Sequence, residues 1–306
     1  MNRILDCSSS DLRKMGKSEL LQAIAGSEGR VMMCETVGTV QPMLGNISNA
    51  EFVASMGAEM INLNVFDLDN PVINGLPASQ DNIIDQLRKL TGCLIGINLE
   101  PVASSYEFKS DTNIWALTKG RAGTLENARK AYELGVNFIT LTGNPGVGVD
   151  NKSIAAALKT ISGVYDRQLI LIAGKMHASG VLAEAGEKII TLADIKLFID
   201  SGADIILLPA PGTVPGITME YIRELIAYVH QRQKLALTAI GTSQEGADTD
   251  TIKQIALMCK MAGADIHHIG DAGYLGMALP ENIFAYSVAI RGIRHTYRRM
   301  AMSINR

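Results

Sequence analysis

The chain has 306 residues, 47% of them hydrophobic and 19% charged, with a formal net charge of −3. That composition excludes a disordered or fibrous protein. Acidic and basic residues are interspersed, so no basic field exists to attract nucleic acid or an anionic membrane. The expected partner is a small-molecule substrate, with no nucleic acid and no membrane.

Residues 1–30 read as a short N-terminal helical extension. Ser8-Ser9-Ser10-Asp11 offers a helix N-cap, and Lys17 to Ala25 is helical in pattern. Arg3, Asp6 and Asp11 interrupt any apolar run that a signal sequence would need. No stretch approaches the roughly 20 apolar residues of a membrane span. Cys7, Cys34, Cys93 and Cys259 are widely separated and read as reduced, buried thiols. A cytoplasmic location is expected.

Residues 31–306 repeat one unit eight times: a β-rich run, a loop, an amphipathic helix and a glycine. The runs are Val31–Glu35, Met60–Asn64, Leu94–Leu99, Phe138–Thr142, Leu169–Ala173, Ile205–Leu208, Leu235–Ile240 and Ile266–Ile269. Their starts lie roughly 30–40 residues apart, the size of a βα unit. The even runs follow similar joints, MGAEMINLN, LGVNFITLT, SGADIILLP and AGADIHHIG. Gly57, Gly135, Gly202 and Gly263 stand where a helix end needs the left-handed conformation. A repeat every two βα units suits the alternating layers of a closed (β/α)8 TIM barrel. The competing open doubly wound sheet would place a glycine fingerprint after its first strand, but that turn reads ETVGTVQPMLGN. No nucleotide cofactor is indicated.

Strand alternation then selects the side chains facing the barrel interior. They are Glu35, Asn62 and Asn64, Asn98 and Glu100, Thr140 and Thr142, Lys175 and His177, Ala239 and Gly241, and His268 and Gly270. His267 points instead toward the helices. Asn62 and Thr140, deeper in the barrel, are expected to satisfy one another. Glu35, Glu100, Lys175, His177 and His268 meet at the C-terminal mouth, where this fold carries catalysis. The loops Gly241-Thr242-Ser243 and Gly270-Asp271-Ala272-Gly273 are candidates for binding a substrate phosphate. Thr142 and Asn144 begin a third glycine-rich loop that closes toward the substrate, and Asn64 joins the binding set. Glu35 and Glu100 are candidate ligands for Mg2+ or another divalent cation, with Asp67 or Asp69 nearby. Lys175 suits oxyanion stabilisation or a Schiff base. The last helix, with Ile283, Phe284, Tyr286 and Ile293, serves as the eighth barrel helix or as part of a homo-oligomer contact. The basic run Arg291, Arg294, His295, Arg298 and Arg299 reads as solvated surface that complements the helix dipole.

Two resemblances follow from these residues. Val65-Phe66-Asp67-Leu68-Asp69 resembles the D-x-D nucleophile motif of haloacid-dehalogenase-like phosphatases, and Ile269-Gly270-Asp271 weakly resembles their acidic metal motif. Asn70-Pro71 replaces the usual Gly-Thr, and the phosphatase fold does not contain the barrel repeat. Over residues 20–306 the strand order and glycine placement are similar to bacterial barrel proteins labelled phosphoenolpyruvate phosphonomutase-like. That resemblance implies a lyase, mutase or isomerase acting on a small phosphorylated or carboxylated metabolite, through acid–base or metal-assisted enolate chemistry. The chain departs from it: strand three ends Asn98-Leu99-Glu100-Pro101 instead of in a D-x-D cluster, and no K-K-C-G-H loop occurs. A haloacid-dehalogenase-like phosphohydrolase and a non-catalytic metabolite-sensing barrel are the alternative functions.

Overall fold

A computed structural model describes residues 2–103, 105–108, 113–143, 145, 148–178, 182 and 185–306. Eight parallel strands close a barrel in the order β1 to β8. They are β1 (Val31–Val37), β2 (Met60–Asn64), β3 (Leu94–Leu99), β4 (Phe138–Leu141), β5 (Ile170–Gly174), β6 (Ile205–Pro209), β7 (Leu235–Ile240) and β8 (Ile266–Ile269). The fold is the (β/α)8 barrel that the sequence repeat implies.

Two short helices, α1 (Ser9–Lys14) and α2 (Lys17–Ala25), precede the barrel. Ser8 caps α1 by accepting from Asp11 N–H, as its sequence suggests. The barrel helices are α3 (Asn49–Ser55), α4 (Ile83–Thr91), α5 (Leu125–Leu134), α6 (Asn151–Tyr165), α7 (Leu192–Asp200), α8 (Met219–Gln231), α9 (Thr249–Ala262) and α10 (Pro280–Ala301). Ser48, Asn82, Thr124, Asp150, Thr191, Thr218 and Asp248 cap the first seven of these. Each loop therefore ends in a residue that satisfies orphan backbone donors where the next helix begins.

The glycine joints have a clear physical basis. Gly57, Gly135, Gly202 and Gly263 all have φ between 87° and 116°, open to glycine at little cost. The polar residue two positions later then turns back onto the preceding odd strand. Glu59, Asn137, Asp204 and Asp265 accept the backbone N–H of Met32, Ile95, Leu171 and Ala236 respectively, at 2.8–3.0 Å. The repeated G-x-[acid or amide] is thus a hydrogen-bonding clip between neighbouring strands.

The core has two layers. An outer one lies between strands and helices, and an inner one fills the barrel with Val31, Met33, Met60, Leu94, Phe138, Ile172, Leu207 and Leu237. Ile4, Cys7, Leu12, Leu20 and Ile24 of the extension join the inner layer at its N-terminal end. His267 faces outward as expected. It is fully buried, with Nε2 3.0 Å from Gly29 O, and burial lowers its pKa to about 4.

The basic C-terminal run differs from expectation. Arg291 is buried and pairs with Glu59, while Arg298 donates to Leu5 O and Asp6 O. Arg299 donates to Ala58 O and Thr91 O. These guanidiniums bind orphan carbonyls of neighbouring segments, for which a fork of several donors is well suited. Arg294 and Arg298 remain exposed in the way the sequence suggested.

Candidate active site

The C-terminal strand ends open into a cleft of about 410 Å³. β1 and β2 supply Glu35 and Asn64, and β3 with its following residue supplies Asn98 and Glu100. Thr142 and His177 enter after β4 and β5, while Gly241, Thr242 and Glu245 follow β7. Gly270, Asp271 and Gly273 follow β8, and Arg121 and Trp115 lean in from the long β3–α5 loop. Asn144 lies outside the described residues. Ser243 is not among the lining residues.

Glu35 and His268 meet because β1 and β8 are paired in the barrel wall. His268 Nε2 lies 2.8 Å from Glu35 Oε2, with the imidazole 1% exposed. The approach is off the line that a ring hydrogen bond requires, and neither ring nitrogen has a hydrogen-bond partner among the described residues. Glu35 lines the cleft and His268 supports it from below.

Glu100 has a different neighbour. Arg121 Nη2 donates to both of its oxygens, at 2.9 and 3.1 Å, while Nη1 holds Ile114 O and Ala116 O. The loop is brought back by Glu100 N–H to Arg121 O and Gly123 N–H to Glu100 O, an added bridge beyond β3. Burial still pushes the Glu100 carboxyl up, against the opposing guanidinium. With both oxygens facing a cation, Glu100 is poorly placed to share a metal with Glu35. Among the described residues, no group of three or more His, Cys, Asp or Glu is arranged to hold a metal ion.

β5 shifts the expected register by one residue. Ile170 and Ile172 face the inner core, whereas Leu171 and Ala173 pack outward against helices. The strand is apolar on both faces, so its sequence has no polar marker to set the phase. His177 nevertheless reaches the cleft, beside Met176, because the chain has left the strand by then. Lys175 is 1% exposed and does not line the cleft. It sits behind it, within electrostatic reach of His177 and Asp150. Desolvation lowers the His177 pKa, opposed by the Glu35 charge.

The β7 and β8 loops bond part of their backbone internally. Gly270 N–H bonds Ile240 O, Gly273 N–H bonds Asp271 Oδ1, and Gln244 N–H bonds Gly241 O. The Thr242 hydroxyl lies on Thr213 O and Gly241 O. Two carboxyls stand in this corner, Glu245 and Asp271. Desolvation raises both, Asp271 to about 7, with Glu35 adding to the effect. Asp271 Oδ2 accepts from Asn64 Nδ2 at 2.8 Å, and Asn64 Oδ1 accepts from Asn98 Nδ2 at 3.2 Å. Below them Thr140 Oγ1 donates to Asn62 Oδ1 at 3.1 Å, as the sequence suggested.

Backbone strain gathers at the same rim. Val65, Thr242, Ser243 and Ala272 all have positive φ, between 53° and 77°. For β-branched Val65 and Thr242 that conformation costs on the order of 1–3 kcal/mol and marks a surrounding that imposes it. Sequence reading did not single out Arg121, Trp115 or Glu245 as site residues. Arg121 and Trp115 lie in a loop without periodicity, whereas in the β7 loop Gly241, Thr242 and Ser243 pointed to an anion site rather than to a carboxyl. Asp67 and Asp69 form a turn after β2, with Asp69 paired to Lys130 of α5 at 2.6 Å. Neither lines the cleft, so the D-x-D resemblance finds no counterpart there.

The family described as Domain of unknown function (DUF7916) matches residues 5–306. No curated protein matches the chain in sequence. Among solved structures, one described as a putative phosphonomutase from Burkholderia cenocepacia J2315 has TM-score 0.50 and 17% identity, covering 85% of this chain and 94% of its own. Thiamine phosphate pyrophosphorylase from Pyrococcus furiosus aligns at TM-score 0.48 and 13% identity, over 86% and 96% of the two chains. At these identities the likeness is one of fold. No helix among the described residues is long and apolar enough to cross a membrane.

Proposed function

The chain belongs to the DUF7916 family, and we propose that it is a barrel enzyme of the lyase, mutase or isomerase type. Its substrate is a small carboxylated or phosphorylated metabolite, and its chemistry is proton transfer at a carbon next to a carbonyl or carboxyl group. The observation that carries this reading is the Glu35–His268 pair, a carboxylate on the cleft wall with an imidazole 2.8 Å behind it. A carboxylate packed against an imidazole in this way is positioned before substrate arrives.

Glu35 removes the substrate proton. Lys175 and Arg121 supply the positive charge that opposes the developing oxyanion. His177, kept uncharged by burial, is the second group able to exchange a proton across the cleft. The substrate anion faces the Arg121 and Lys175 side, away from the carboxyls of Glu245 and Asp271 in the β7 and β8 corner. A divalent cation held by Glu35 and Glu100 is not needed for these steps.

The test is exchange of carbon-bound hydrogen for deuterium in D2O, followed by NMR over 2-oxo acids, hydroxy acids and their phosphate esters. Glu35→Gln should slow exchange by about 10²–10⁴-fold with little change in KM. Lys175→Met should lower kcat as well, and unchanged turnover there would remove Lys175 from the mechanism. Tight binding of one of these compounds without exchange or product would favour the sensing barrel over the enzyme.

A further inference from the structure

The charged groups of the cleft are unevenly distributed around the barrel. Glu35, Glu245 and Asp271 stand on the adjoining ends of β1, β7 and β8 and all line the cleft. The cations Arg121 and Lys175 lie after β3 and β5, near the uncharged His177, and Arg121 also holds Glu100. A doubly charged phosphate placed in the β7–β8 corner would face these three carboxyls.

A second observation shows what that corner lacks. Glu245 is 9% exposed, and its Oε2 is shielded from solvent without any hydrogen-bond partner among the described residues. Leaving a buried acceptor unsatisfied is costly, and more so for a charged one. Its carboxyl lies against Gly270, where a Cβ would come within 3.8 Å of Glu245 Cδ. On the opposite wall Asn98 Oδ1 is also buried and unpartnered. Both orphans are acceptors, and they await donors.

We infer that the Glu245, Asp271 and Glu35 wall is a subsite for a protonated primary amine, so the substrate is a small amino-bearing acid. This deepens the proposed function and rests on the same cleft. An ammonium group offers three donors and one positive charge. It would satisfy Glu245 Oε2 and relieve repulsion among three neighbouring carboxyls, while the acid end of the molecule faces Arg121 and Lys175. Because desolvation favours the protonated form of Asp271, arrival of the cation should expel a proton from this wall.

The test compares isosteric pairs that differ only in amine against hydroxyl: serine with glycerate, β-alanine with 3-hydroxypropionate, and phosphoserine with 3-phosphoglycerate. Calorimetry on the full-length protein should show the amino members binding at least about tenfold tighter. Proton release should appear as a dependence of the heat on buffer ionisation enthalpy. Glu245→Gln, an isosteric change checked by its melting temperature, should cost the amino members at least about tenfold more than the hydroxy members. Asp271→Asn should act in the same direction. Equal affinity within the pairs, or equal losses in Glu245→Gln, would overturn the subsite. So would binding of Mg2+ or Mn2+ alone that Glu245→Gln abolishes, since the wall would then hold a metal. Failure of every amino probe to bind or to raise the melting temperature would also overturn it. Hydrogen exchange on hydroxy acids that still depends on Glu35 would remove only the amine subsite. Amine binding with no exchange would instead remove the proposed reaction.

Discussion

Asp271 accepts hydrogen bonds from Asn64 and Gly273, yet its pKa rises to about 7 because desolvation and the Glu35 charge outweigh both donors. Between its ordinary value of 3.8 and about 7, the folded chain holds a proton that the unfolded chain has released. Stability from this group is therefore full below the lower value and falls as pH rises toward the upper one. The loss levels off at no more than about 4 kcal/mol. Glu245 and Glu100, also raised, act in the same direction. Urea denaturation between roughly pH 4.5 and 8 should show a shallower decline in Asp271→Asn than in the parent. An unchanged slope would mean that Asp271 is ionised throughout. At this scale the sequence revealed residues whose polarity stands out in an apolar strand, such as Glu35, Asn64 and His268. It concealed Arg121, whose partner Glu100 is 21 residues away across a loop that returns only in three dimensions.

Elements were legible wherever local chemistry sets them, and less so where both neighbours are apolar. β2, β3, β7 and β8 have the predicted limits, and Ser8, a local cap, starts α1. β5 lacks a polar position to fix its phase, which displaced Lys175 from the cleft wall. The final helix was misread for a different reason, since a basic run gives no sign of the carbonyls it will meet. Arg291 of α10 holds Glu59 and Gly57 O at the start of β2, and its Nε donates to Ser287 Oγ at 2.9 Å. Removing one partner of a buried ion pair leaves the other uncompensated. Arg291→Met should therefore cost about 3–5 kcal/mol, with much of it restored by adding Glu59→Gln. Chemical denaturation of the two single variants and the double variant tests this, and simple additivity of the losses would argue against the pairing.

Over the whole molecule, the clips at Glu59, Asn137, Asp204 and Asp265 occur every second strand, so the barrel is fastened four times in one manner. The extension then closes the end opposite the cleft, placing Ile4, Leu12, Leu20 and Ile24 beneath Met33, Met60 and Phe138. Deleting residues 1–25 should expose this apolar layer, lower the melting temperature and promote aggregation, measured by light scattering during a thermal ramp. A truncated chain as stable and monodisperse as the parent would show that the extension is dispensable to the fold. At the opposite end, Trp115 leans over the cleft with its ring edge-on to Tyr274, centroids 5.5 Å apart. It is the only tryptophan in the chain. Red-edge excitation of intrinsic fluorescence therefore reports on this rim alone. Occupancy can be followed as a change in emission colour and quenching, without a label and before any product is known.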